Sequence, residues 1–356
     1  MSPSTWRHTA GLFRAPTVDG SAALAALGFP AGREVVHRFD PHGVSWARLA
    51  DHGRAALHSW PEHGVVTVDV YAPALIDLAA ALAPLGWAPI AEGRPAIWAT
   101  TWAGGYRVRL ALDTVLLHER TEWQDIVIAD TSAFGRVLLL DGELQSAESD
   151  EATYHEALVL PVLAAHPNPR RVLIVGAGEG ASAREVLAAG VDEVVLVDID
   201  RAVVDAARLL LPSWHRGAFD DPRVTLRVAD AWAVLGDGPW DVVIVDVSDP
   251  QEGGPSANLF SEAWYAAVRA NLASDGVVVT QAGELFRPDA AEVRDVVARF
   301  RAAFPDAVPY AVPVPSFGAH WGFVVSRAPV RPIPGGDGWA EGRFARACRL
   351  PPWAHT

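Results

Sequence analysis

The chain has no lysine: all 29 of its basic side chains are arginine. That absence excludes Schiff-base chemistry on lysine and the Walker A phosphate loop. There is one cysteine, Cys348, which excludes an intramolecular disulfide and any cysteine-rich metal site. The 12 histidines are scattered, with no HExxH or ligand-spaced cluster, so no catalytic metal is expected. Positive charge is scarce beside 43 acidic residues, and the formal charge of -14 argues against nucleic acid as a partner. Long apolar runs are also missing. The most apolar stretch, Pro73–Ala91, is interrupted by Asp77 and Pro84 and reads as a core helix, not a membrane span. Met1–Phe13 lacks the apolar region of a signal peptide. A cytoplasmic protein with no membrane partner is the expectation.

What is present is a chain of 356 residues, half of them hydrophobic, long enough for two domains. Val65–Tyr71 is β-rich, and Ala74–Leu82 spaces leucine and isoleucine as a helix does. A boundary is expected at Thr101–Tyr106, around the paired Gly104 and Gly105. Short strands are predicted at Val108–Leu117, Trp123–Ile128, Arg136–Leu140 and Glu143–Ser146, with Asp141-Gly142 as a hairpin turn. From Arg171 strands alternate with helices. Strands are expected near 172–175, 193–197, 224–228, 242–245 and 276–280, and helices near 181–189, 202–210, 262–272 and 290–304. The near-continuous apolar strands suit a parallel sheet covered on both faces. The predicted fold class is α/β. A Rossmann-like, methyltransferase-type sheet (151–330) follows a small β-hairpin domain (107–150), with an N-terminal α+β domain (1–106) and a Pro- and Gly-rich tail (331–356).

Acidic residues recur where these parallel strands end: Glu179, Asp198, Asp230, and the pair Asp246 and Asp249. Ligands of open α/β sheets bind beyond the carboxyl ends of the strands, so these side chains describe one negatively lined pocket. Such a pocket suits a nucleoside carrying extra positive charge and a second cationic reactant beside it. The loop Gly176-Ala177-Gly178-Glu179-Gly180 follows a strand and opens a helix, which lets backbone approach a ligand closely. Its spacing is not that of the dinucleotide GxGxxG fingerprint. Asp198 follows about 20 residues later, where a ribose-binding carboxylate belongs. Glu179 inside the loop would repel a phosphate or a methionine carboxylate and would hold an amine by a charge-assisted hydrogen bond. Asp246 and Asp249 are close enough in sequence to bind a diamine, one of them accepting its proton.

These pieces, with several others, resemble the spermidine synthase family of polyamine aminopropyltransferases over about Leu117–Val325, some six-tenths of the chain. The others are Gln124 in Glu122-Trp123-Gln124, the hairpin Leu140–Gln145, Asp150–Glu156 with Tyr154-His155-Glu156, Phe219–Arg223, and Val279-Thr280-Gln281. Glu179 departs from the commoner aspartate of that loop. With Glu252–Pro255, Gln281–Gly283 and Pro315–Phe317 it leans toward thermospermine-forming and agmatine- or triamine-using branches. The resemblance implies decarboxylated S-adenosylmethionine as co-substrate, no cofactor, a polyamine acceptor and a homodimer or tetramer. It assigns Asp246 as general base with Tyr154 as its hydrogen-bond partner. Gln124, Glu179, Asp198, Asp230, Ala231, Pro255, Gly176 and Gly178 would bind the donor, and His155, Asp249, Asp246, Gln281 and Trp321 the acceptor.

Upstream, His58–Gly64 running into Val68–Tyr71 resembles the short bacterial class of S-adenosylmethionine decarboxylase. That family forms a pyruvoyl group from a serine that here is Gly53, and its catalytic cysteine falls on Pro73. An inactive, dimerising domain is what this implies, with His58 structural and no pyruvoyl group. Two competing readings are a methyltransferase using intact S-adenosylmethionine and a non-catalytic nucleoside- or polyamine-binding regulator. A nicotinamide oxidoreductase is disfavoured by the loop spacing.

Overall fold

A computed structural model describes residues 7–15, 18–38, 43–50, 53–60, 65–72, 76–89, 96–101, 107–176, 178–249, 256–285, 291–332 and 342–350. Its contacts divide the chain into two compact units, one comprising 1–119 and 125–143, the other 120–124 and 144–356.

The first unit opens with β1 (Arg7–Arg14), α1 (Gly20–Ala26), β2 (Arg33–Arg38), β3 (Val44–Ala50), β4 (Gly53–Trp60) and β5 (Val65–Ala72). It continues through α2 (Leu78–Leu82), β6 (Ala88–Pro89), β7 (Ala96–Thr101) and β8 (Arg107–Leu112). Its sheet runs β2-β3-β4-β5-β1-β7-β8, with β6 pairing on β1. In β5 every second residue is buried, so Val66, Val68 and Val70 face a core that holds Leu24, Phe29 and Trp87. The apolar stretch from Pro73 does not form the long helix expected of it. Helix α2 has five residues, a 3-10 turn at Ala83–Leu85 carries Pro84, and left-handed Gly86 ends it. Asp77 caps α2 by accepting from the Ala80 N–H at 3.0 Å, and proline blocks any continuation.

The strand expected at 108–117 is two strands. Asp113 separates β8 from β9 (Thr114–Arg120), and the chain passes there from one sheet to another. β8 pairs with β7 through Ala96↔Leu112 to Thr101↔Arg107, so the expected boundary at 106 falls between two strands of one sheet. β10 (Asp125–Thr131) and β11 (Gly135–Leu140) follow, and Asp141 and Gly142, both at positive φ, turn the chain into β12 (Glu143–Ala147).

The second unit continues with α3 (Glu151–Ala165), β13 (Arg171–Gly176), α4 (Ala181–Ala188), β14 (Glu193–Asp198), α5 (Arg201–Leu210) and α6 (Pro212–His215). After these come β15 (Val224–Val228), α7 (Ala231–Leu235), β16 (Trp240–Asp246), α8 (Glu262–Ala270) and β17 (Leu272–Glu284). The unit closes with α9 (Ala291–Ala303), β18 (Val308–Val314), β19 (Ala319–Val325) and α10 (Arg343–Ala347). Its sheet has the order β15-β14-β13-β16-β17-β19-β18, the last two strands antiparallel. Val172, Leu173, Ile174, Val242, Val243 and Ile244 are completely buried, as strands covered on both faces require. From β13 the chain winds first toward β14 and later toward β16, so the order reverses between β13 and β16. That reversal is the position at which such sheets bind ligands. No helix of the described residues is long and apolar enough to cross a membrane.

Candidate active site

Gly176 ends β13 and is registered beside Asp246, the last residue of β16. At φ +81 it has left-handed backbone, and a Cβ there would meet the Asp246 carbonyl oxygen. Only glycine allows the two strand ends to approach this closely. Gly178 is held close to Asp198 in the same way, a Cβ falling 2.7 Å from Asp198 Oδ2. Strand pairing alone thus brings the glycine loop, Asp198 and Asp246 to one rim.

Helix α3 supplies the opposite wall. Twelve of its fifteen residues are buried, and its first turn aims Tyr154 and His155 at the rim. The Tyr154 hydroxyl donates to Asp246 Oδ1 at 3.1 Å, and the Ser182 hydroxyl donates to Asp246 Oδ2 at 2.6 Å. His155 Nε2 stands 2.9 Å from Glu179 Oε1 and 4.0 Å from Asp246 Oδ2. Its Nδ1 lies 2.7 Å from the Glu151 carbonyl and 3.2 Å from Glu151 Oε2. Arg184 grips the same Glu151 carboxylate through both terminal nitrogens, at 2.9 and 3.0 Å.

Burial and neighbouring charges compete in the titration of this cluster. Burial raises the Glu179 carboxyl above the usual range despite the His155 bond. Burial would also raise Glu151, but hydrogen bonds from His155 and Arg184 outweigh it and lower that group. For His155 burial disfavours the cation, yet Glu151, Glu179 and Asp246 prevail and raise it to about 10. The Tyr154 hydroxyl is pushed well above its ordinary value by burial and then by Asp246, so it remains a donor.

Four further sets of side chains include those expected at the rim. Asp249 Oδ1 accepts from Gln281 Nε2 at 2.9 Å, and Gln281 is otherwise bonded to the Val247 carbonyl and the Gly283 N–H. Asp198 accepts from the Asp200 N–H at 2.9 Å, and burial raises its carboxyl to about 7. Asp200 in turn accepts from Gln124 Nε2 at 3.1 Å and from the Thr121 hydroxyl at 2.8 Å. Asp230 caps α7 by accepting from the Trp232 N–H at 2.9 Å, beside buried Ala231. Trp321 packs on Phe317 at 4.7 Å between ring centres, and its buried Nε1 has no hydrogen-bond partner among the described residues.

The structure therefore brings together two bonded pairs, Tyr154–Asp246 and His155–Glu179, with His155 Nε2 4.0 Å from Asp246, and Asp249 and Gln281 form a further pair. Pro255 and the Glu252–Gly254 stretch lie outside the described residues. The sequence reading missed Ser182, Arg184, Asp200 and the role of Asp150. Asp150 accepts from the Ser316 N–H at 2.7 Å and the Ser316 hydroxyl at 2.8 Å, tying the start of α3 to the turn that carries Phe317. Ser182 and Arg184 could have been suspected from their places in the first turn of the helix after the glycine loop.

Residues 151–330 match the spermine/spermidine synthase domain, half of the chain. The chain belongs to the spermine/spermidine synthase family. Residues 97–148 match the spermidine synthase tetramerisation domain, and 21–85 match S-adenosylmethionine decarboxylase. A polyamine aminopropyltransferase of Aeropyrum pernix is 44% identical over 256 residues, 70% of this chain and 81% of that protein. Polyamine aminopropyltransferase 2 of Pseudomonas aeruginosa is 45% identical over 62% of this chain and 63% of its own length. Among solved structures, a spermidine synthase in complex with the transition-state analogue AdoDATO is similar with a TM-score of 0.66. It is 27% identical, over 72% of this chain and 92% of that one. The spermidine synthase from Thermotoga maritima is similar with a TM-score of 0.65 at 27% identity, over 72% and 91% of the two chains. Within the family, this member carries Glu179 as the acid of its glycine loop and the decarboxylase-like region ahead of it.

Proposed function

We propose that the acid-lined rim binds decarboxylated S-adenosylmethionine and transfers its aminopropyl group to a polyamine, releasing methylthioadenosine. The amine nitrogen attacks the methylene next to the sulfonium, the carbon–sulfur bond breaks toward sulfur, and the amine's proton passes to Asp246. The nucleophile must be neutral, whereas a free alkylamine has a pKa near ~10, so at neutral pH about one molecule in a thousand is reactive. Relieving that shortage is worth roughly 4 kcal/mol. Asp246, oriented by Tyr154 and Ser182, is the group suited to supply it as general base. Glu179 takes the donor's ammonium, Asp198 the ribose hydroxyls, and Asp230, Ala231 and Gln124 line the nucleoside. Asp249 and Trp321 face the acceptor, Gln281 acts through Asp249, and His155, its ring nitrogens held by Glu151 and Glu179, sits behind the donor's ammonium site and not against the acceptor.

The observation that carries this reading is the Tyr154–Asp246 bond, with a second carboxylate, Glu179, in the same buried cluster. A methyltransferase would instead need to seat a methionine carboxylate where buried Glu179 repels it. The decarboxylase-like region is read as a catalytically silent part of the assembly, since Gly53 offers no hydroxyl from which a pyruvoyl group could form. The match at 97–148 supports a dimer or tetramer. The decisive experiment is a panel of amines incubated with decarboxylated S-adenosylmethionine, products identified by mass. Methylthioadenosine with an aminopropylated amine is expected; S-adenosylhomocysteine from the intact donor would overturn the reading. Asp246→Asn is expected to lower turnover by about a thousandfold or more while methylthioadenosine still binds by calorimetry.

A further inference from the structure

Three buried charged groups have no task in that scheme: Glu151, Arg184 and the proton on His155. Both ring nitrogens of His155 face only oxygens, Nδ1 the Glu151 carbonyl and carboxylate, Nε2 the Glu179 carboxylate. A carbonyl cannot donate, so Nδ1 carries hydrogen. The 2.9 Å contact between Nε2 and Glu179 Oε1 needs a hydrogen as well. Whether it sits on nitrogen or on oxygen, the pair holds one proton beyond neutral imidazole plus ionised carboxylate. The ring cannot swing away, because Glu151 is itself held by two Arg184 nitrogens and all three side chains are buried.

We propose that Glu151, gripped by Arg184, is a positioning residue that locks His155 so that one proton is kept between Nε2 and Glu179, and that the ammonium group of the incoming donor displaces this proton to solvent. The inference rests on the reading of Glu179 as the ammonium site. Before the donor binds, the held proton stands in for the substrate's cation. When a real ammonium arrives, two cations would share one buried carboxylate. The one that yields is the imidazolium: its hold on this proton depends on the Glu179 carboxylate that the ammonium now occupies, and imidazole deprived of that partner binds a proton more weakly than an alkylamine does. The N–H bond at Nε2 opens, its proton leaves to buffer, and the freed lone pair accepts a hydrogen from the ammonium. At the Glu179 carboxylate one cation replaces another, and the donor's sulfonium is the one positive charge added to the pocket. The groups facing His155 are Glu151 on its own helix, Glu179 on the glycine loop, Asp246 at the end of β16 and the edge-on ring of Tyr154. Arg184 of α4 reaches it through Glu151.

Calorimetry in two buffers of different ionisation enthalpy tests this with the full chain. At about pH 8.5, where Asp198 is already ionised and His155 still holds its proton, decarboxylated S-adenosylmethionine is expected to release close to one proton, and methylthioadenosine, which lacks the ammonium, close to none. His155→Gln keeps a hydrogen-bonding amide and is expected to abolish the release. Glu151→Gln is expected to move the acidic limb of the kcat/KM profile to lower pH by about one unit. Donor binding without buffer dependence, equal release by both nucleosides, or a lower kcat in Glu151→Gln with an unmoved limb would overturn the proposal. If the variants do not fold, the comparison of the two nucleosides on the unaltered protein still decides it. Failure of both nucleosides to bind would instead remove the ammonium-site reading and the inference with it.

Discussion

The Tyr154 hydroxyl is held by burial as a donor to Asp246 across the whole working pH range. Tyr154→Phe removes one hydrogen bond to a charged group, worth about 1.5–3 kcal/mol, so kcat is expected to fall about ten- to hundredfold with donor affinity unchanged. Steady-state kinetics beside methylthioadenosine calorimetry checks the split. Asp198 makes a second prediction. Its carboxyl is raised to about 7, so it is protonated below that pH and ionised above it. Ribose hydroxyls donate more strongly to the ionised form. Methylthioadenosine affinity is therefore expected to rise roughly tenfold as pH passes upward through 7, and to lose this dependence in Asp198→Asn. His155 has the opposite sign. Its folded value of about 10 lies above the ordinary 6.5, so its contribution to stability is complete below 6.5 and is lost as pH rises through 10. Denaturant titrations across that window should show the loss, and His155→Gln should flatten it.

At the scale of elements, the glycine loop and the end of β16 form a single rung of the sheet. Gly176→Ala would place a methyl group on the Asp246 carbonyl at φ +81, a change expected to lower the melting temperature and abolish donor binding together. The parallel strands were legible in the sequence because their valine and isoleucine runs are bounded by acidic ends. The rim acids were legible for the same reason. Helix α3 was not, although the residues of its first turn were named. It is apolar all round and contains Pro161, so it shows no amphipathic period to read. The antiparallel strands β18 and β19 also escaped notice, with Pro309 and Pro313 obscuring the first of them. Arg184 and Glu151 are 33 positions apart, and their pairing depends on how α3 and α4 pack. No local pattern announces such a contact.

At the scale of the whole molecule, residues 21–85 match S-adenosylmethionine decarboxylase, and the proposed reading makes this region silent because Gly53 stands where a serine would start its chemistry. Gly53 lies in β4 at φ +151, and a Cβ there would meet the Tyr71 carbonyl oxygen of the neighbouring strand. Gly53→Ser is therefore expected to leave the chain in one piece on a denaturing gel and to lower its melting temperature, not to restore self-processing. The catalytic unit has an asymmetry of a different kind. The glycine loop and Asp246, the proposed base, are coupled by backbone pairing of β13 with β16, while Phe317 and Trp321 hang from the antiparallel margin of the sheet. On the proposed reading, substitutions at that margin exchange one amine for another over evolutionary time without disturbing the alignment in which carbon–sulfur cleavage occurs. On that reading the sheet divides what natural selection is free to vary from what it must leave alone.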